Sequence, residues 1–397
     1  MNQREKQVRE QVDRLLFEQG VYLPLELLLA EGRLMYADYE AWREGQGGYL
    51  EEMLFGDPGQ SREMMRQAEA YARELGLRSE PQPYLSWGAG ERKSLRFSAE
   101  SGVDQSFQTA HRKGEETLQM DLLMESPGAT LANGIIQALL ERDESESAQL
   151  LARLHEVDPG HHQLGGFEYL LDAFRRPASR DDLAGELRYL QQELSPMAEE
   201  ILGASARHFL APHWQRLCQL LAGTGFDPRH PERHASYAAT QAEDWRQVKV
   251  CVEAEPHWRD QPRLLQRHAR ACSRLHQDLQ ALSSWFILYW NFPGQAASCF
   301  SAEGNSEWRQ AWQRFLDLEP ELPDEDFPAW LLIDRPGLAK RLQTEGLLEA
   351  FQPPEDFRLI AELAQAGTDE TGPDVLALRK RLQQTNPGLF DCYMQFY

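Results

Sequence analysis

Four histidines, His208, His213, His230 and His234, are the residues of this chain best suited to chemistry. Neutral imidazole is the commonest zinc ligand, and a spacing of four, as between His230 and His234, places two side chains on one helix face. Pro231 stands between that pair, however, and Gly225 and Pro228 come just before it, so the pair falls at a loop-to-helix junction. There is no His-Glu-x-x-His run, and Glu199 and Glu200 belong to another segment. His161-His162 follows Pro159-Gly160 and reads as a solvated connector between paired helices. Other chemistries leave less trace. The chain has no Gly-x-Ser-x-Gly elbow and no Gly-x-x-x-x-Gly-Lys loop. Gly88-Ala-Gly90 lacks the strand and helix that a dinucleotide site needs. Asp181-Asp182 and Asp324-Glu325-Asp326 read as solvated faces of an acidic chain. The expectation is therefore no catalytic residue, no metal and no cofactor. A metal-dependent enzyme built on the four histidines is the alternative.

Tryptophan and arginine carry the remaining signal. Six of the ten tryptophans lie between Trp245 and Trp312, and Arg263, Arg267 and Arg270 recur at spacings that share a helix face. Trp258, Arg259, Arg263, Arg267, Arg270 and Trp290 are the expected partner-binding residues, because Trp, Tyr and Arg are enriched where interfaces concentrate their energy. The competing reading pairs these arginines with the protein's own carboxylates.

The elements that position them are helices. Trp245, Val248, Cys251 and Val252 share one helix face, and Pro256 ends the run. Leu282, Trp285, Leu288 and Tyr289 repeat the pattern before Pro293; in both cases the apolar columns stand eleven, eight, five and four residues before the proline. Between them, Leu264, Leu265, His268, Ala271, Cys272 and Leu275 mark another helix. Ala148, Leu151 and Leu154 before Pro159 fill three of the columns, as do Trp312, Phe315 and Leu316 before Pro320. A helical pair with one apolar face buries it by stacking on the next pair. Gly134 to Ala148 through Asp158-Pro159, and Ala242 to Trp245 through Glu255-Pro256, resemble the tetratricopeptide-repeat family. That resemblance implies stacked helical hairpins with a groove for a peptide. The chain departs from the family in its period: the closing prolines are 97, 37 and 27 residues apart, where the family repeats at about 34. The expected array is degenerate.

The bulk numbers are compatible with this. A hydrophobic content of 42% suits a folded chain of two or three domains, and a net charge of −22 disfavours phosphate backbones. Five widely spaced cysteines imply no disulfide framework and fit a reducing cytosol. No apolar run is long enough to cross a bilayer, and the N-terminus leads into a charged amphipathic helix rather than an apolar signal.

The fold expected is all-α. A small helical bundle occupies 1–78, with Ser61 as the N-cap of its long helix and Gly76 as its end. An irregular linker or small hairpin follows over 79–128, with alternation at Leu95 and Phe97 and at Leu118 and Met120; residues 102–116 read as a mobile loop. Tetratricopeptide-like repeats occupy 129–320, and a helical cap 321–397 ends in an aromatic tail docked on the body. The function expected is that of a bacterial, cytoplasmic adaptor that binds a protein or peptide, of unidentified partner and oligomeric state. A third reading is a DNA-binding regulator. The helices from Leu25 and from Tyr36 have a helix-turn-helix outline, but Arg43 is the second helix's sole cation beside Asp38, Glu40 and Glu44.

Overall fold

In the N-terminal helix α1 (Gln3–Gln19), Val8, Val12 and Leu15 fall at i, i+4 and i+7, and all three are buried. They meet α2 (Pro24–Ala30) and α4 (Pro58–Glu74) in one core that also takes in α3 (Tyr36–Arg43). Asp57, not Ser61, caps α4: its carboxylate accepts from the Gly59 and Gln60 amides, with Pro58 at the first helical position. Ser61 is buried one turn in, where its hydroxyl accepts from Arg33. The computed structural model describes residues 3–87, 92–112, 127–176, 180–303, 306–347, 352–365 and 373–396. The chain divides into two units, Met1–Thr224 with Glu232–Asp244, and Gly225–Pro231 with Trp245–Tyr397.

The first unit carries a small antiparallel sheet. Its central strand β3 (Thr109–Arg112) pairs with β1 (Val21–Tyr22) on one side and β2 (Arg78–Pro81) on the other. Leu95 and Phe97 are buried but lie outside the strands, while Leu118 and Met120 lie outside the described residues. In the stretch read as a loop, residues 102–112 form α5 (Ser101–Phe107) and β3, and residues 113–116 lie outside the described residues. Two side chains hold it. Phe107 stacks on Phe97 at 3.6 Å, and the Asp104 carboxylate accepts from the Phe97 and Ser98 amides. Few apolar residues were needed, because these two were well placed.

Helices α6 (Pro127–Leu140), α7 (Glu144–Val157) and α8 (Leu164–Arg175) then pack consecutively. A short helix α9 (Leu183–Tyr189) runs through a π-turn (Leu190–Leu194) into α10 (Ser195–Leu202). Helix α11 (Ala206–Leu220) packs on α6, α9, α10 and α12 (Ala235–Gln241), and its Ala211 joins the N-terminal core.

In the second unit, α13 (Trp245–Glu253), α14 (Pro262–Arg274) and α15 (Asp278–Asn291) pack in sequence. The matched columns are buried in Trp245, Val248, Val252, Leu282, Trp285, Leu288 and Tyr289, with Cys251 half-buried. Pro293 is the first residue of α16 (Pro293–Glu303), so it opens one helix as well as closing another. In α17 (Ser306–Leu316), Trp312 and Phe315 are buried but Leu316 is 47% exposed, because the helix ends there.

Helix α15 is buried around most of its circumference, as is the apolar α18 (Phe327–Asp334), which packs on α15, α17, α19 (Gly337–Thr344), α20 (Glu355–Gln365) and α22 (Pro387–Phe396). A helix apolar all round must be enclosed on every side. Phe327 accordingly meets Tyr289, Trp312 and Phe315 at ring distances of 5.0, 4.9 and 5.4 Å. The C-terminal helices α21 (Pro373–Thr385) and α22 cover this core, with Leu389, Cys392 and Tyr393 buried. Among the described residues, no helix is long and apolar enough to cross a membrane.

Candidate functional site

The expected partner-binding residues divide among different surroundings. Trp258 and Arg259 sit on a short turn packed on α14, where the Trp258 ring is buried 4.4 Å from that of His268 and the Arg259 guanidinium lies 4.7 Å from the Trp258 ring. Arg263 is exposed and bonds Gln266. Arg267 donates to the Pro231 carbonyl at 2.8 Å, and Arg270 lies 5.0 Å over the Trp245 ring. Trp290 is half-buried against Phe286 and Phe357, at the joint of α15 and α20. The arginines of α14 and the turn beside them thus belong together, and Trp290 closes a different contact.

The four histidines do not converge. His208 meets Tyr36 and Glu26, His213 accepts from Arg216 at 2.9 Å, and His234 caps α12 through Ser236. His230 is exposed and belongs to the second unit. No group of three or more His, Cys, Asp or Glu side chains placed to hold a metal exists among the described residues. The metal reading therefore loses its ligand set. The helix-turn-helix reading loses its cation: Arg43 is buried and pairs with Glu141 at 2.7 Å.

Arg43 belongs to a buried polar cluster in the first unit. Glu26 on α2 meets Arg207 and, at 3.4 Å, His208 Nε2; the Tyr36 hydroxyl reaches His208 Nδ1 at 3.1 Å. With Nε2 facing a carboxylate, Nδ1 is the acceptor, so Tyr36 donates. Burial works to raise the Glu26 carboxyl, but the His208 hydrogen bond and the Arg207 charge outweigh it and hold the group at about 2. Burial lowers His208. Glu40 on α3, also buried, takes Arg142 at 2.5 Å and Gln215. The Arg142 and Arg43 guanidinium carbons stand 3.9 and 4.8 Å from the centroid of the Trp87 ring.

Two local features create this cluster. Pro212 lies inside α11 and has no amide hydrogen, so the carbonyl four residues back, that of His208, has no helical donor. Arg142 takes that carbonyl with Nε and Nη2 at 3.1 and 2.9 Å. Arg142 itself stands just past α6 at a φ of 56°, in the left-handed conformation that glycine usually supplies at a helix end. An arginine there costs backbone strain that its side chain must offset. Compared with known proteins, the chain matches no family model, no curated protein and no solved structure.

The cluster is a clamp joining α2 and α3 to α6 and α11, since each charge is spent on a partner. Sequence periodicity could not reveal it, as it assigns charged residues to the outside. The usable signals were a proline inside a helix and an arginine at a glycine position.

Clefts open in the same unit, among them one of about 600 Å³ beside Tyr169, Arg176 and Tyr189. Another, of about 410 Å³, lies beside Tyr22 and His111, but its basic side chains already have acidic neighbours: Arg66 with Glu63 at 2.6 Å and Arg62 with Glu100 at 3.6 Å. A third, of about 630 Å³, is walled by the π-turn, α10, α11 and α12.

Proposed function

We propose that this protein is a non-catalytic scaffold whose second unit, built of degenerate tetratricopeptide-like helical pairs, binds an acidic protein segment along α14. The carrying observation is the composition of that helix. It presents Arg263, Arg267, Arg270 and Arg274 at spacings of four, three and four and contains no acidic residue, in a chain with 63 acids against 41 bases. Arg259 adds a cation on the adjoining turn. Among the described residues, Arg259, Arg263 and Arg274 make no ion pair, so their charge is not consumed by the chain's own carboxylates. Trp245 and Trp258 give two of these arginines aromatic faces to rest on, which limits the side-chain entropy lost when a ligand is held. The five cysteines are free, which suits the reducing cytosol of a bacterial cell.

Fluorescence anisotropy with two labelled peptides of equal length, one rich in glutamate and one in lysine, tests this reading. The acidic peptide should bind, more weakly as salt rises. Arg259→Glu with Arg263→Glu should weaken it roughly tenfold, since each exposed pair contributes up to about 1 kcal/mol. These two are exposed and hold no backbone group in place, unlike Arg267. Equal binding of both peptides, or indifference to the charge reversal, would overturn the proposal.

A further inference from the structure

The C-terminal helical hairpin of the second unit is fastened through one asparagine. Asn386 joins α21 to α22, and its side-chain carbonyl caps α22 by accepting from the Leu389 amide at 3.1 Å. That bond fixes which end of the side chain is oxygen and which is nitrogen. The nitrogen carries two hydrogens and gives them to two carboxylates, Asp326 Oδ1 at 2.9 Å and Asp356 Oδ2 at 3.1 Å. The two acids come from different elements. Asp356 lies in the first turn of α20, and Asp326 ends the 3-10 turn that leads into α18. One neutral amide thus ties the hairpin to both.

Asp326 is the unusual member. It stands just ahead of α18, where an aspartate ordinarily accepts from the first helical amides, yet it makes no such bond. It is 6% exposed, and the charges that act on it are acidic: Asp356 across the shared amide and Glu325 beside it in the turn. From α22 the Cys392 thiol faces it, raised by burial and by the Asp391 and Asp326 charges. The arginines of α21 are engaged elsewhere, Arg381 with Glu355 at 2.5 Å and Arg379 over the Tyr393 ring at 5.4 Å. Two carboxylates held on one neutral group repel each other once both are ionised. Burial, with the Asp356 and Glu325 charges, pushes the Asp326 carboxyl up to about 6 against the opposing Asn386 hydrogen bond.

We propose that Asp326, Asp356 and Asn386 form a pH-operated latch, which holds the hairpin of α21 and α22 on its core in acid and loosens it toward neutral pH. The sign follows from proton linkage. An aspartate in an undocked segment titrates near 3.9. Between that value and about 6 the docked chain keeps a proton that the undocked chain has lost. The contribution is therefore complete below about pH 3.9 and is lost as the pH rises through about 6. What the latch covers is apolar. Leu389 and Tyr393 of α22 are buried, and α18, on which α22 packs, is buried from Phe327 to Ile333. Loosening uncovers that helix. The proposal is independent of the peptide-binding reading, which concerns α14.

Hydrogen exchange of the full chain, resolved by peptide and corrected for the intrinsic exchange rate, tests it. Protection of α21 and α22 should rise roughly tenfold as the pH falls from about 7.5 to about 5. Asp326→Asn keeps an oxygen to accept from Asn386 and a group that does not titrate. It should make α22 indifferent to pH over this range. At about pH 7.5 it should also be more protected than the wild type by up to ~100-fold, the full interval between 3.9 and about 6. Asp356→Asn removes the opposing charge but not the burial, and should raise protection at the same pH by less. A carboxylate that served only as an acceptor would act the other way, since its loss would lower protection. Protection in α22 that is flat or falls on acidification, that drops at about pH 7.5 in both variants, or that keeps its pH dependence in Asp326→Asn would overturn the proposal.

Discussion

Replacing Arg142 by methionine should destabilise the first unit by roughly 3–5 kcal/mol, the usual cost of leaving one member of a buried ion pair without the other. Glu40 is 3% exposed, and its remaining partner would be the neutral Gln215. The His208 carbonyl, which Pro212 deprives of a helical donor, would lose both of its bonds from Arg142. Two controls separate the causes. Arg142→Gly removes the same charge but relaxes the left-handed backbone, so it should be the milder variant by about 1 kcal/mol. Arg142→Met combined with Glu40→Met removes both charges and should recover much of the loss, because the desolvation cost disappears with the attraction. A chain of two units need not unfold in one step, so hydrogen exchange resolved by peptide is the suitable measurement. Protection should fall in α3, α6 and α11 together. Loss confined to α6 would mean that Arg142 serves only its own helix end.

How far the sequence revealed this molecule follows from what periodicity can detect. It located α13, α14, α15 and α17 because each has an apolar stripe, and Trp245, Trp285 and Trp312 are indeed core residues at 6%, 3% and 3% exposure. It read Pro293 only as a stop, since the same residue that breaks one ladder is preorganised to begin the next. It placed Leu316 inside because a column of spacings does not know where its helix ends. It offered a small hairpin over 79–128 but not the strands of the sheet, which are two to four residues long and give alternation no room to repeat. The polar cluster was beyond it for a different reason. Arg142 and Glu40 are 102 residues apart, and Arg207 and Glu26 are 181 apart. A charge reads as a surface residue until the distant partner that makes its burial tolerable is known. The histidines show the same limit: their spacing suggested a shared metal, while His208, His213 and His234 each have a separate neighbour.

Those histidines also set the pH dependence. His213 is 6% exposed, and burial, aided by the Arg216 and Arg142 charges, pushes it down to about 3. Its Nδ1 accepts from Arg216, a bond that only the unprotonated nitrogen can make. An unfolded histidine titrates near 6.5. Between those values the unfolded chain binds the proton and the folded chain does not, so stability is full above about pH 6.5 and is lost as the pH falls. At 1.36 kcal/mol per unit, His213 alone removes about 2 kcal/mol by pH 5. Burial lowers His208 and His111 as well, which steepens the same slope. Glu26 acts in a separate window. Its depressed carboxyl contributes stability that is complete above about pH 4.3 and is lost toward pH 2. The first unit should therefore lose protection in two stages, the upper one due to histidine. His213→Gln keeps an oxygen to accept from Arg216 but has no titrating group, and should flatten the decline between pH 6.5 and 5 by about 2 kcal/mol while leaving the lower stage in place. An unchanged slope in that variant would show that His213 is protonated in the folded protein near its ordinary pKa, and that Arg216 turns away to allow it.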